Sequence, residues 1–169
     1  MTRASDARRK LLAEQRADAE LERIYASLPE LDCKGLCTDS CGPIDMTDRE
    51  RARIRWAGYR ISFPRDAVRK LPEFRCEALT EDGRCAVYEL RPLICRLYGL
   101  TQSMRCEHGC QPRPRVLSDG EAGYLLTAAM LAGGHEAVRD AEPGDALRAA
   151  EQMRTRPARR EPPDAFRKR

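Results

Sequence analysis

Eight cysteines fall between positions 33 and 110, and no other residue type in this chain is so clearly spaced for chemistry. They stand at 33, 37, 41, 76, 85, 95, 106 and 110. Two groups carry C-x3-C spacing: Cys33-Lys-Gly-Leu-Cys37, which continues to Cys41, and Cys106-Glu-His-Gly-Cys110. Thiolate sulfur is a soft ligand suited to Zn²⁺ or to iron–sulfur clusters. Zinc takes four such donors in a tetrahedron, with Zn–S near ~2.3 Å. Cys33, Cys37, Cys41, Cys76, Cys85, Cys95, Cys106 and Cys110 are therefore all candidate metal ligands. Together they would supply two closed four-thiolate zinc sites, or one iron–sulfur cluster plus one zinc. His108, inside CEHGC, is an alternative donor, although a place in an exposed loop is the plainer reading. His135 reads as a solvent-exposed residue.

Whether clustered cysteines bind metal or each other depends on the compartment. The first twenty residues are charged throughout, with no apolar run of the secretory kind. No stretch approaches the ~18 apolar residues of a membrane span. The expectation is a cytoplasmic chain with no membrane partner, whose thiols stay reduced and available to metal. The triplet also differs by one residue from the C-x3-C-x2-C signature of radical-SAM enzymes, and no chain length remains for the barrel that chemistry uses.

The elements that would position these thiols are poorly supplied with core. Charged residues make up 34% of the chain and aromatics 5%, with Trp56 the single tryptophan. The stretch from about 30 to 115 is rich in Cys, Pro, Gly and Arg, and apolar burial alone would struggle to order it. Structural zinc can contribute ~10 kcal/mol or more to folding such a segment. The expected fold is mainly α with a short β-hairpin, a small irregular metal-stapled domain flanked by helices. Its parts are an N-terminal helix (1–29), a cysteine-cluster domain (30–115), C-terminal helices (116–152) and a disordered basic tail (153–169). The tail carries seven basic residues against Glu161 and Asp164, leaving the rest of the chain slightly acidic within a net charge of +4. Weak contact with a polyanion is conceivable on that charge; a solvated tail is the plainer reading.

Local signals fill in the elements. A helix is expected over Ser5–Leu28, with Ser5 as N-cap, Pro29 as terminator and an apolar stripe at Leu21, Ile24, Tyr25 and Leu28. Thr47-Asp-Arg-Glu50 and Ser118-Asp-Gly-Glu121 are capping boxes. The first opens a helix to about Gly58; the second serves one over Ala122–Leu131, stopped by Gly133-Gly134. Pro64–Leu71 suggests a short helix. FRCEALTEDGRCAVYE reads as a hairpin turning at Asp82-Gly83, with Val87 and Tyr88 as strand formers. That register separates Cys76 from Cys85 by ~13 Å along the strands, so either the pairing ends early or they serve different sites. Pro92 fits the first position of a short helix that Gly99 ends. Weaker helical stretches lie around Ala137 and over Ala146–Met153.

The clustered triplet, followed by GRCAVYELRPLICRLYG, resembles the YkgJ-type cysteine-cluster family, a zinc- or iron-chelating domain. Cys85, Tyr88, Glu89, Arg91, Pro92, Cys95, Arg96 and Tyr98 match its second half. Cys33, Cys37 and Cys41 match the opening, with Cys76 as the intermediate cysteine. Gly42 stands where the family often has a further cysteine, leaving Cys106 and Cys110 to make up the ligand count. The resemblance implies chelation of zinc or iron and no specific reaction. Some longer relatives are associated with flagellin lysine methylation and an iron–sulfur cluster, but no substrate or methyl-donor residues match here.

Three functions follow from these residues. The first is a metal-binding protein of structural or interaction role, holding zinc ions or an iron–sulfur cluster. The second is an iron–sulfur redox or protein-modifying enzyme. The third is a zinc-dependent nucleic-acid binder using the basic tail. With no carboxylate pair, nucleophile–base pair or phosphate loop, no catalytic residue is assigned. Arg75, Arg84, Arg91, Arg96 and Arg105 all lie close to a cysteine, where guanidinium groups could offset thiolate charge. Among them Arg96 is the foremost candidate.

Overall fold

The computed structural model describes residues 3–33, 35–62 and 75–155. The expected helix at Pro64–Leu71 and the tail beyond Thr155 lie outside these residues. Among them the fold is mainly α-helical, as expected, with five helices and little strand. No helix there is long and apolar enough to cross a membrane.

Helix α1 runs from Arg3 to Ala26. It is already helical two residues before Ser5, which is therefore an interior residue and not the cap. Leu21 and Ile24 are buried, while Leu11 is 54% exposed, in line with the apolar stripe. Helix α2 (Asp48–Trp56) opens on Thr47, where both bonds of the capping box form. Helix α3 spans Leu93–Leu97, with Pro92 one position earlier than expected, at the N-cap. Helix α4 (Asp119–Gly133) starts from the second capping box at Ser118. Helix α5 (Pro143–Thr155) completes the set.

Two apolar clusters hold these elements. The first joins Leu21 and Ile24 of α1 to Leu93, Leu97 and Leu100 around α3, and to Leu117, Ala122 and Ala129 around α4. Burial of Leu21 and Leu97, both fully enclosed, stabilises the fold by roughly 1.5–3 kcal/mol apiece. The second cluster gathers Met46, Ile54, Ile61, Ala78 and Val87.

Between the clusters sits a buried carboxylate. Glu50 is 3% exposed. Its Oε1 accepts from the Tyr25 hydroxyl and from the Leu93 backbone N–H, each at 2.7 Å. Its Oε2 accepts from the Thr47 N–H at 2.9 Å, closing the capping box. One side chain thus joins α1, α2 and the first turn of α3. Around it the arginines of α2 grip α1. Arg49 donates to Asp18 with Nε at 2.8 Å, lies 3.3 Å from Glu14 and stacks over Trp56, and Arg53 meets Glu22 at 2.6 Å.

Two antiparallel strands, β1 (Glu30–Leu31) and β2 (Pro112–Arg113), pair far across the sequence. No local signal announced them. Gly133 matters for a different reason, since a Cβ there would sit 2.5 Å from Thr47 Oγ1. The bare backbone lets the end of α4 close on the cap of α2, where the Asp48 N–H donates to the Gly134 carbonyl at 2.8 Å. This approach also explains His135, which is buried rather than exposed. Its Nδ1 accepts from the Ala137 N–H, and its Nε2 lies 3.0 Å from Asp45.

Two outcomes are expected. Glu50→Ala orphans buried donors on three elements, each worth about 1–3 kcal/mol. Urea unfolding should show a loss of at least ~2 kcal/mol, with Glu50→Gln losing less; an unchanged midpoint would remove the carboxylate from its central place. At the start of α4, the Arg115 hydrogen bond, helped by the Ser118 N–H, lowers the Glu121 pKa from 4.5 to about 2. A carboxylate with a depressed pKa supports the fold above its ordinary value and loses that support as pH falls toward 2. The unfolding midpoint should therefore drop between those values, and drop less in Glu121→Gln.

Candidate metal centre

Each thiol is placed by a short irregular element. Cys33 follows β1, its N–H donating to the Leu31 carbonyl at 2.8 Å. Cys37 opens a 3-10 turn (Cys37–Ser40) and Cys41 closes it. The hairpin forms as a tight turn: Thr80 N–H donates to the Arg84 carbonyl at 2.8 Å, Ala86 N–H to the Ala78 carbonyl at 2.9 Å, and Leu79 bridges Cys85. There the pairing ends. Val87 and Tyr88 leave the strand direction and enter a 3-10 turn over Tyr88–Leu90. The Cys76 N–H is committed elsewhere, to the Cys41 carbonyl at 3.0 Å. The early end removes the ~13 Å separation that a longer ladder would impose.

Cys95 lies on α3. Cys106 follows a turn in which Gly99, at φ +84, comes so close to Leu31 that a Cβ would sit 2.8 Å from its side chain. A polar latch ties the Cys106 loop to the Cys37 turn. Ser40 Oγ donates to Glu107 at 2.7 Å, and the Tyr98 hydroxyl donates to Ser40 at 3.0 Å.

Seven of the eight cysteines line one cavity of about 460 Å³: Cys33, Cys37, Cys41, Cys76, Cys85, Cys95 and Cys106. None of the eight is joined in a disulfide. Tyr25, Leu28, Leu31 and Met104, from the rim of the first apolar cluster, form one wall. Cys76 and Cys85 pack against the second cluster on the other side. Cys110 is apart, buried at 6% exposure and not at the cavity. Neither His108 nor His135 lines it.

The thiols influence one another in two sets that join at Cys41. Cys76 and Cys85 act on both Cys41 and Cys95. Cys37 responds to Cys33 and Cys106, and is itself the foremost thiol acting on Cys41. Burial is the main reason that the pKa values of Cys37, Cys41 and Cys76 rise, with neighbouring thiols next for Cys37 and Cys41. Burial pushes Cys95 up to about 12, with Cys76 and Cys85 adding to it. Neutral thiols have little to draw them together. Among the described residues, no three His, Cys, Asp or Glu side chains are gathered tightly enough to hold one ion as they stand. Forming Zn–S bonds of ~2.3 Å requires the side chains to turn inward and shed their protons. The donor set itself suits zinc or iron: soft sulfur, in excess of four, around a single chamber.

Both arginines that flank Cys95, Arg91 and Arg96, line the cavity. The charge of Arg91 lowers the pKa of Cys37, Cys41 and Cys95. Arg96, although it also reaches the wall, donates to the carbonyls of Arg91 and Glu89 and stacks 4.3 Å over Tyr25. Arg75, Arg84 and Arg105 are exposed and line no part of the cavity.

At pH 8 the metal-free protein should therefore label unevenly with iodoacetamide. A thiol with a pKa near 12 holds about a thousandfold less thiolate than one at its ordinary 9.0, so Cys95 should react last of the seven cavity cysteines. Peptide mapping of a labelling time course checks this; early labelling of Cys95 contradicts its burial.

A family model described as "CxxCxxCC: Putative zinc- or iron-chelating domain" matches residues 32–113. No curated protein and no solved structure matches the chain. The match begins directly after β1 and ends within β2, so the paired strands bracket it. It contains all eight cysteines and the whole thiol-lined cavity floor around α3. Residues 32–113 of this chain are thus similar to the CxxCxxCC family.

Proposed function

We propose that this protein chelates zinc or iron in its cysteine cavity, at two centres, and that the captured ions order its central segment. The observation that carries this reading is the convergence of seven thiols, drawn from separate stretches of chain, on a single chamber. One centre would use Cys41, Cys76, Cys85 and Cys95, which suffice for a closed four-thiolate shell. The other would use Cys33, Cys37 and Cys106, with a fourth donor from the loop that carries His108 and Cys110. This division separates Cys41 from the other two members of the triplet. The Cys76–Cys41 backbone hydrogen bond supports it on one side, and the Ser40–Glu107 latch on the other.

The role is structural or interactive, with ions as the ligands. The metal's part is to neutralise buried thiolates and bind the hairpin, α3 and the opening loop to one another. When bound, an iron–sulfur cluster would add redox chemistry, and the protein's part would still be to hold it with these thiols.

Protein prepared without air should carry about two equivalents of metal by elemental mass spectrometry. A colourless sample with zinc identifies closed thiolate sites; brown protein absorbing near ~400 nm identifies iron–sulfur. Cys→Ser at 41, 76, 85 or 95 should remove one equivalent, and at 33, 37 or 106 the other. Metal-free protein that keeps its fold with every thiol alkylated sinks the proposal. Any single substitution that empties both centres sinks the division into two.

A further inference from the structure

We propose that the end of α2 carries a stacking platform for single-stranded nucleic acid, built from Trp56 and Tyr59 with Arg55 and Arg60 beside them. The patch is separate from the metal centre, since none of these four residues lines the cysteine cavity.

Trp56 is the chain's only tryptophan and is 70% exposed. Leaving so large a ring in water forgoes the stabilisation its burial would give. Its position is nevertheless fixed. The Arg49 guanidinium carbon lies 4.6 Å from the ring centroid. Arg49 is itself 8% exposed, and Asp18 and Glu14 of α1 hold it in place. One face of the indole therefore rests on a buried, anchored cation, and the exposed ring turns its other face to solvent. Tyr59 is fixed by the chain. Gly58, at φ +88, ends α2 in a turn where its N–H donates to the Arg55 carbonyl at 3.0 Å and the Tyr59 N–H to that of Ile54 at 3.2 Å. This paired closure folds the chain back on the last turn of the helix and sets a second exposed ring three positions after the first.

The charge around the rings selects the partner. Residues 49–62 contain five arginines and one acid, Glu50, whose carboxylate is buried and already bonded. Arg49 and Arg53 are paired with acids of α1. Arg55 and Arg60 are exposed, and among the described residues neither is paired with an acid. Two such cations beside two exposed rings match a strand of phosphates and bases: the rings take the flat faces of the bases, and the guanidinium groups take the backbone. A duplex keeps its bases stacked on one another and leaves the rings without a partner. A membrane surface calls for aliphatic side chains around the indole, and Ala57 and Gly58 stand next to it instead.

Trp56 reports on its own occupancy. Titrating the full chain with oligo-dT or oligo-U of about 12 nucleotides should quench its tryptophan emission, with a midpoint matching that from anisotropy of the labelled strand. Trp56→Ala should weaken binding about five- to a hundredfold, and Trp56→Phe, which keeps a ring, by less. Arg55→Gln combined with Arg60→Gln should flatten the slope of log affinity against log salt by about 1.4. If Trp56→Ala lacks the wild-type circular dichroism, the quenching of the unaltered protein and the arginine pair decide. No binding at low salt, binding without quenching, or wild-type binding by Trp56→Ala overturns the proposal, the last assigning the strand to the charge of residues 153–169. Binding to vesicles of anionic phospholipid in preference to either strand overturns it in favour of a membrane surface.

Discussion

The arrangement depends on one buried carboxylate. A charged residue at 3% exposure is tolerable only when its lone pairs are taken up by donors, and Glu50 has them from Tyr25, Thr47 and Leu93. The Leu93 N–H is the decisive one. It is an orphan donor at the start of α3, which is too short to be stable alone. By accepting from it, Glu50 fixes the helix that carries Cys95 against α1 and α2. The burial that results also shifts the phenol of Tyr25 upward, keeping it a donor.

From that node the cavity follows. Two apolar clusters are held apart by polar groups, and the space between them is where the thiols meet. Burial favours protonated sulfur, most strongly at Cys95. A metal ion reverses the preference by supplying the positive charge that burial takes away. The same environment that makes these thiols inert on their own therefore makes them dependent on a cation, whether an ion or an arginine.

Much of this was legible in the sequence. Both capping boxes form at the residues that spell them, because the Thr47 and Ser118 hydroxyls need only their own backbone and a glutamate three residues on. The stripe on α1 and the positive-φ turn at Gly99 are equally local. What local patterns could not carry was pairing over distance. Strands β1 and β2 are two residues each and lie more than eighty positions apart. The hairpin ends early because of a hydrogen bond from Cys76 to Cys41, a partner thirty-five residues away. His135 is buried for a similar reason, through contact with Asp45, which stands ninety positions earlier in the chain. Among the cysteines, spacing joins 33, 37 and 41, and their mutual influence follows it, while Cys76, Cys85 and Cys106 join them from distant stretches that spacing could not rank.

The short ladder between Glu30–Leu31 and Pro112–Arg113 brings the entry and exit of the matched segment side by side. The segment stays keyed to the helices around it, since Leu93 and Leu97 pack on Leu21 and Ile24 of α1 and Glu50 accepts from the Tyr25 hydroxyl. The clasp thus ties both ends of the segment to each other while its middle is gripped by its neighbours, so that slackening either strand frees both ends at once.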